Sequence, residues 1–234
     1  DLPSRSGIGS SSAFTVGLIT SLSALVKSEF LGRTKLARLA IDIEQNDIGE
    51  TIGVQDQCAS AFGGLVHITA DKEGIKPKRF LIRKEYQKYI ESSLLMGFTG
   101  RSRFSSVASK KVDVALKTES NIKKLEELHE ISQKGIEAFG NEADIQENAL
   151  LTKECRNIKL ALNQDYGDPM LMELIEESEK AGSLCTRIMG AGGGGFFLCW
   201  APEYKHEAIK SKINVKTWVK VKISSTGSQV IFSE

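Results

Sequence analysis

Neither sign of charge is in surplus: 31 Lys and Arg stand against 30 Asp and Glu, a formal net charge of +1. A chain without a basic excess has no field to gather nucleic acid or an anionic membrane surface, which points to a small-molecule partner instead. Cysteine is sparse and scattered. Cys58, Cys155, Cys185 and Cys199 form no CxxC pair and have no His at zinc-finger spacing. The expectation is therefore reduced thiols in a cytoplasmic protein, with no disulfide framework and no structural zinc. The three histidines, His67, His129 and His206, are isolated from one another and from the cysteines, which removes a His-based metal site and a Ser/His hydrolase. No apolar run approaches the roughly 18 residues of a membrane span, and no basic-then-apolar leader precedes the first motif. Internal repeats and low-complexity segments are also lacking. An initiator Met is missing too: the chain opens at Asp1 and reaches a Gly/Ser motif within ten residues. That leaves no room for a strand pair to support the motif, so the expectation is a segment upstream that was removed or not encoded.

What is present suits a folded domain. With 234 residues, 41% hydrophobic and 26% charged, the chain can bury one large core or two modest ones. From Ser10 to Val26, Phe14, Leu18, Leu22 and Leu25 recur at intervals of three and four, which predicts a helix buried on that side. Thr34 is a candidate cap for a second helix with apolar positions at Leu36, Leu39, Ala40 and Ile43, ending near Asp47 with Glu44 in its last turn. Residues 49–57 read as an irregular loop. Strands are predicted at Leu65–Ile68, Phe80–Arg83 and Leu94–Phe98. Helical periodicity follows to Gly182, including Ile122, Leu125 and Leu128, and later Met170, Leu171, Leu174 and Ile175 behind the start signal Asp168-Pro169. Arg187–Met189 and Phe196–Trp200 flank a glycine-rich turn. A helix over 202–213, a strand over 218–223 and a hairpin turn at Thr226-Gly227-Ser228 complete an α+β pattern, with a boundary placed near residue 90.

Two glycine-rich segments carry the chemistry. Pro3-Ser4-Arg5-Ser6-Gly7-Ile8-Gly9-Ser10-Ser11-Ser12-Ala13 opens the first helix, where free N–H groups and the helix dipole attract phosphate oxygens and glycines allow close approach. It is not a Walker loop, a dinucleotide fingerprint or a nucleophile elbow, because the Lys and the later glycines those motifs need are absent. The second segment, Arg187-Ile188-Met189-Gly190-Ala191-Gly192-Gly193-Gly194-Gly195-Phe196, permits a loop to close over a ligand without side-chain clash. Between them, Glu44 through Gly64 supplies acids on a helix end and in the following loop. Phosphoryl transfer to an alcohol uses such groups, one on a divalent cation and one near the attacking hydroxyl.

The first string resembles motif 2 of the GHMP kinases, P-x-x-x-G-[LI]-G-S-S-[SA]-A, and the second resembles their glycine-rich third motif. Together they span nearly the whole chain. The resemblance implies a GHMP kinase fold, with the remainder of a ribosomal-protein-S5-like N-terminal domain over 1–90 and a ferredoxin-like C-terminal domain over 91–234. It implies ATP and Mg2+ as cofactors. By matching positions, Pro3, Ser6, Gly7, Ile8, Gly9, Ser10, Ser11, Ser12 and Ala13 would cradle the nucleotide phosphates, and Ser11 and Glu44 would hold Mg2+. Asp56 would accept or orient the proton of the substrate hydroxyl, with Asp47 and Glu50 as nearby acids able to exchange roles with Glu44. Gln57, Gly190, Gly192 and Gly193 would border the substrate. The family's first motif has no counterpart in these residues, so the chain alone is expected to be inactive or poorly folded.

Within the family, Ile52-Gly53-Val54-Gln55-Asp56-Gln57 and Phe98-Thr99-Gly100-Arg101-Ser102-Arg103 are most similar to bacterial D-glycero-D-manno-heptose 7-phosphate kinases. Arg101 and Arg103 would supply the guanidinium fork that a phosphorylated sugar needs. The implied reaction is phosphorylation of an anomeric hydroxyl. Alternatives are a kinase for galactose, fucose or an isoprenoid alcohol, and a non-catalytic protein that binds sugar and ATP. The partners implied are ATP and a sugar or sugar phosphate, with the oligomeric state open to a homodimer.

Overall fold

A computed structural model describes residues 7–27, 31–101, 119–162, 168–190 and 193–231. The chain divides into two compact units. One joins Gly9–Leu81 to the tail Ile223–Glu234, and the other joins Asp1–Ile8 to Ile82–Lys222.

The first unit begins with α1 (Ser10–Lys27) and α2 (Arg33–Asp42), followed by a π-helical turn at Ile43–Asp47 and α3 (Gln55–Phe62). A hairpin of β1 (Leu65–Asp71) and β2 (Gly74–Phe80) completes it. Val16 and Ile19 of α1, Leu36, Ala37 and Ala40 of α2, and Cys58, Ala61 and Phe62 of α3 form its core, with Val66, Ile68 and Ile75 of the hairpin against them. A lone two-stranded hairpin is marginal in water, so this contact is what stabilises β1 and β2. Pro77 is tolerated in β2 because an edge strand can spare an N–H. In the tail, Gly227 lies directly on α3, where a Cβ would collide with the Ala61 carbonyl oxygen.

Several expectations change here. The helix over Ser10 to Val26 forms, but its expected inner stripe faces outward, with Phe14 69% and Leu25 81% exposed, and Leu18 and Leu22 about half exposed. The helix is apolar on two faces, and Ser12, Val16 and Ile19 occupy the buried one. Gly32, not Thr34, precedes α2, and no side chain caps it. The expected loop through Gln57 is cut short, since α3 starts at Gln55 and puts Asp56 in its first turn. Strand pairing stops at Phe80 rather than running on to Arg83. No hairpin forms around Gly227 among the described residues, because that glycine is taken up by the contact with α3.

The second unit holds α4 (Lys84–Ser92), β3 (Leu94–Phe98), α5 (Glu119–Gly140), α6 (Ile145–Leu162), α7 (Pro169–Lys180), β4 (Cys185–Ile188) and β5 (Phe196–Trp200). A 3-10 turn at Glu203–Lys205, α8 (His206–Lys212) and β6 (Thr217–Lys220) follow. Its antiparallel sheet runs β4-β5-β3-β6. Tyr86 and Ile90, one helical turn apart, are buried and anchor α4. The interior strand β5 buries Phe196, Phe197, Cys199 and Trp200, each Phe contributing about 2–3 kcal/mol by its removal from water. Phe197 meets Trp218 edge to face at 5.5 Å over Gly97. Leu171, Ile175, Ile188, Ile209 and Ile213 close this core. Asp168 caps α7, its Oδ1 accepting from the N–H groups of Met170 (3.0 Å) and Leu171 (3.4 Å). Cys58, Cys155, Cys185 and Cys199 are all free thiols. Among the described residues no helix is long and apolar enough to cross a membrane, and no His, Cys, Asp and Glu cluster could hold a metal ion by itself.

Candidate functional site

In the first unit the site grows from the start of α1. Gly9 takes φ +72°, a conformation a side chain resists, and its carbonyl accepts the Ala13 N–H at 2.9 Å, the first turn of the helix. The N–H groups of residues 10–12 therefore have no intrahelical acceptor and, with the dipole of an 18-residue helix behind them, form an anion-attracting end. Ser10, Ser11 and Ala13 are exposed on this turn, while Ser12 is buried.

Asp56 sits directly against that turn. A Cβ on Gly9 would lie 2.8 Å from the Asp56 carboxyl carbon, so residue 9 must be glycine both for its backbone angle and for the acid beside it. Burial, and after it the negative charge of Glu44, push the Asp56 carboxyl above the ordinary aspartate range. A carboxylate made more basic in this way is better matched to taking a proton near neutral pH.

Glu44 lies on the π-helical turn, where Ile48 N–H reaches back five residues to the Ile43 carbonyl at 2.9 Å. Such widened turns recur at functional positions. The side chain is only 2% exposed. Its Oε2 accepts from Ser12 Oγ at 2.9 Å and from Gln57 Nε2 at 2.5 Å, whereas Oε1 has no hydrogen-bond partner. Buried carboxylate oxygens are rarely left so. A hard oxygen with free lone pairs, close to a phosphate-attracting helix end, fits a Mg2+ ion that takes one or two protein groups and keeps the rest of its shell for water and phosphate.

The structure thus gathers Gly9, Ser12, Glu44, Asp56 and Gln57. Ser12 was expected only as one of several phosphate contacts, and its bond to Glu44 has no sequence signal, because it depends on how two helices face each other. Ser11, expected beside Glu44, is on the exposed side of the turn and uses its carbonyl to accept from Thr15 Oγ1 at 3.2 Å. Gln57, expected at the substrate, has no exposed surface, and its amide is committed to Glu44. Asp47 and Glu50 are exposed.

In the second unit the two glycine motifs touch. Gly7, at φ +78°, packs on Met189 and Gly190: a Cβ on Gly190 would be 3.0 Å from the Gly7 carbonyl oxygen. Arg101 is fastened to the same loop, its carbonyl accepting the Gly195 N–H at 2.8 Å, while Nη1 donates to Asp168 Oδ2 at 3.1 Å. Gly193 also lies in this turn. Pro3, Ser6, Arg103 and Gly192 fall outside the described residues.

Comparison with known proteins follows the same two parts of the chain. The GHMP kinases N terminal domain matches residues 1–64 and the GHMP kinases C terminal domain matches residues 125–220. The D-glycero-alpha-D-manno-heptose 7-phosphate kinase of Campylobacter jejuni is 29% identical over 223 residues, covering 90% of this chain and 62% of that protein. A mevalonate kinase of Pyrococcus abyssi is 26% identical over 243 residues, 98% of this chain and 66% of that one. Among solved structures, a D-glycero-D-manno-heptose 1-phosphate kinase from Bacteroides thetaiotaomicron superposes with a TM-score of 0.68 at 21% identity, covering all of this chain and 66% of that one. The chain spans a little under two thirds of the length of these curated relatives.

Proposed function

Because this chain belongs to the GHMP kinase family, we propose that it carries the phosphate-binding and acid/base machinery of an ATP-dependent kinase acting on a small-molecule alcohol. The leading substrate is the anomeric hydroxyl of D-glycero-D-manno-heptose 7-phosphate. The observation that carries the reading is the apposition of Asp56 and Gly9: an acid with raised proton affinity lies against the turn that would hold the nucleotide's phosphates.

Each residue then has a task. The N–H groups at the start of α1 bind and orient the phosphates. Asp56 takes or steers the proton of the substrate hydroxyl, so that the oxygen can attack as the bond to the leaving phosphate breaks. Glu44, with Ser11 or Ser12 on the neighbouring turn, would hold Mg2+, which supplies positive charge against the negative charge on the transferred group. Ser12 and Gln57 orient Glu44 by fixing one oxygen and leaving the other for the ion.

The heptose reading draws on the Campylobacter jejuni relative and on the Arg101 fork beside the glycine loop. A mevalonate-like alcohol is the second reading, because relatives named mevalonate kinase match at almost the same identity. The test is incubation with MgATP and a panel of heptose 7-phosphate, galactose, fucose and mevalonate, following ADP release and locating the new phosphate. Turnover of heptose 7-phosphate at C1 by the chain joined to the N-terminal segment of a relative, abolished in Asp56→Asn while nucleotide binding persists, is the expected result. Full activity in Asp56→Asn removes the assigned base, and MgATP binding without turnover of any alcohol, by the chain alone and by the joined form, favours a non-catalytic binding protein.

A further inference from the structure

Five cations of the second unit lie on or beside α6, β4 and the glycine-rich loop, and three of them are paired with carboxylates. Arg101 is paired with Asp168 at 3.1 Å, and Lys153 and Arg156 of α6 share Glu179 at 3.6 and 2.5 Å. Lys159 and Arg187 have no such partner: among the described residues no carboxylate forms an ion pair with either. The geometry nonetheless brings them together. Trp200, which stands opposite Cys185 in the sheet, donates to Thr152 Oγ1 at 3.0 Å, and Arg156 donates to the Thr186 carbonyl at 2.6 Å. The helix α6 therefore runs along β4 in step with it, and one helical turn beyond Arg156 the side chain of Lys159 comes level with Arg187. Both are half buried. Burial first, and repulsion from Arg187 second, make the Lys159 ammonium easier to deprotonate than an ordinary lysine, with Cys155 opposing.

Two uncompensated cations held side by side are costly unless an anion joins them. The pair lies at the mouth of the glycine-rich loop, Arg187 being three residues before the Gly190 that packs on Gly7. We propose that Lys159 and Arg187 form a subsite for a phosphate monoester already present on the substrate, distinct from the phosphate that is transferred. A guanidinium fork binds two phosphate oxygens in its plane and an ammonium binds a third as a point charge. Arg101, already neutralised by Asp168, is the weaker attractor of the two. This assignment rests on the kinase reading above and gives it a substrate class, an alcohol that arrives phosphorylated.

The experiment is calorimetric titration of the chain with heptose 7-phosphate and phosphomevalonate, each against its unphosphorylated counterpart, with MgADP titrated separately. Lys159→Met and Arg187→Met should each weaken binding of the phosphorylated ligands by about tenfold or more, as expected for a lost charge-assisted contact. Arg187→Lys should recover part of the loss, and MgADP affinity should not move. Because each Met variant also relieves repulsion, its Tm without ligand should equal or exceed that of the parent; a residue of purely structural importance would lower it. Unchanged affinity in both Met variants, or an equal loss for neutral ligands, overturns the subsite. Binding of MgADP and a neutral alcohol but of no phosphorylated one overturns it too and leaves the kinase reading standing. Failure to bind MgADP counts against that reading itself.

Discussion

Replacing Glu44 with Gln separates what this side chain does for the fold from what it does for a metal. The carboxylate is buried, accepts two hydrogen bonds at Oε2 and none at Oε1. A buried polar group left unpaired costs about 1–3 kcal/mol, and more when charged. Gln retains one carbonyl oxygen able to accept from both Ser12 and Gln57, and it puts a neutral amide where the unpartnered oxygen stood. The free variant should therefore be as stable as the parent or up to about 1 kcal/mol more so, a rise of no more than about 4 °C in Tm for a chain of this size. With ligand the order reverses. At a MgADP concentration of 100 times Kd the parent gains about 2.7 kcal/mol, and a variant binding about tenfold more weakly gains only about 1.4. The difference of about 1.3 kcal/mol appears as a ligand-induced shift smaller by about 3–5 °C. Thermal melts with ADP, with MgADP and with ADP plus EDTA read this directly, and EDTA should erase the difference. A variant that melts well below the parent without ligand, yet shows the same MgADP shift, would refute the reasoning and make Glu44 purely structural.

Three further outcomes are expected. Asp56→Asn bears on pH. The folded carboxyl keeps its proton above the ordinary value of 3.8, so the stabilisation it provides is present below that value and is lost as pH rises through the folded one. Urea melts should find the parent and Asp56→Asn alike in acid, with the variant gaining on the parent as pH rises; a difference that does not vary with pH contradicts this. Gly97→Ala places a methyl 2.5 Å from Phe197 Cζ and should cost about 1–3 kcal/mol through overpacking, so a Tm equal to the parent's would show that the strand can yield. Burial pushes the Cys185 and Cys199 thiols up to about 11 and raises Cys58 as well. Iodoacetamide on the native chain should therefore mark Cys155 first, as read by peptide mapping, and early labelling of Cys199 would count against the core described.

Much of this was legible in the residues, and the parts that were not share a cause. The glycine motifs, α1, the strand at Leu94–Phe98 and the start of α7 at Asp168-Pro169 are local signals, and each is where periodicity or capping puts it. The side of α1 that is buried is not local, because Phe14, Leu18, Leu22 and Leu25 are as apolar as Val16 and Ile19, and only tertiary contacts decide between them. The same holds for the site. Glycine content exposed the phosphate turn, and the acids at 44 and 56 stood out, but the bonds from Ser12 and Gln57 to Glu44 join helices that meet only in the fold. The start of α3 was hidden by Gly53, which reads as loop and sits two residues before the helix begins. In α4 the signal is local but short: Tyr86 and Ile90, one turn apart among charged residues, make an amphipathic pattern of barely two turns.

The outward row on α1 has a cost that reaches the chemistry. Phe14, Leu18, Leu22, Leu25 and Val26 leave a greasy flank on the same rod whose tip would grip the nucleotide. A row of that kind can draw copies of the chain together. Nucleotide binding should therefore be measured at several protein concentrations, where a constant Kd shows that the flank and the tip act independently and a changing one shows that they are coupled.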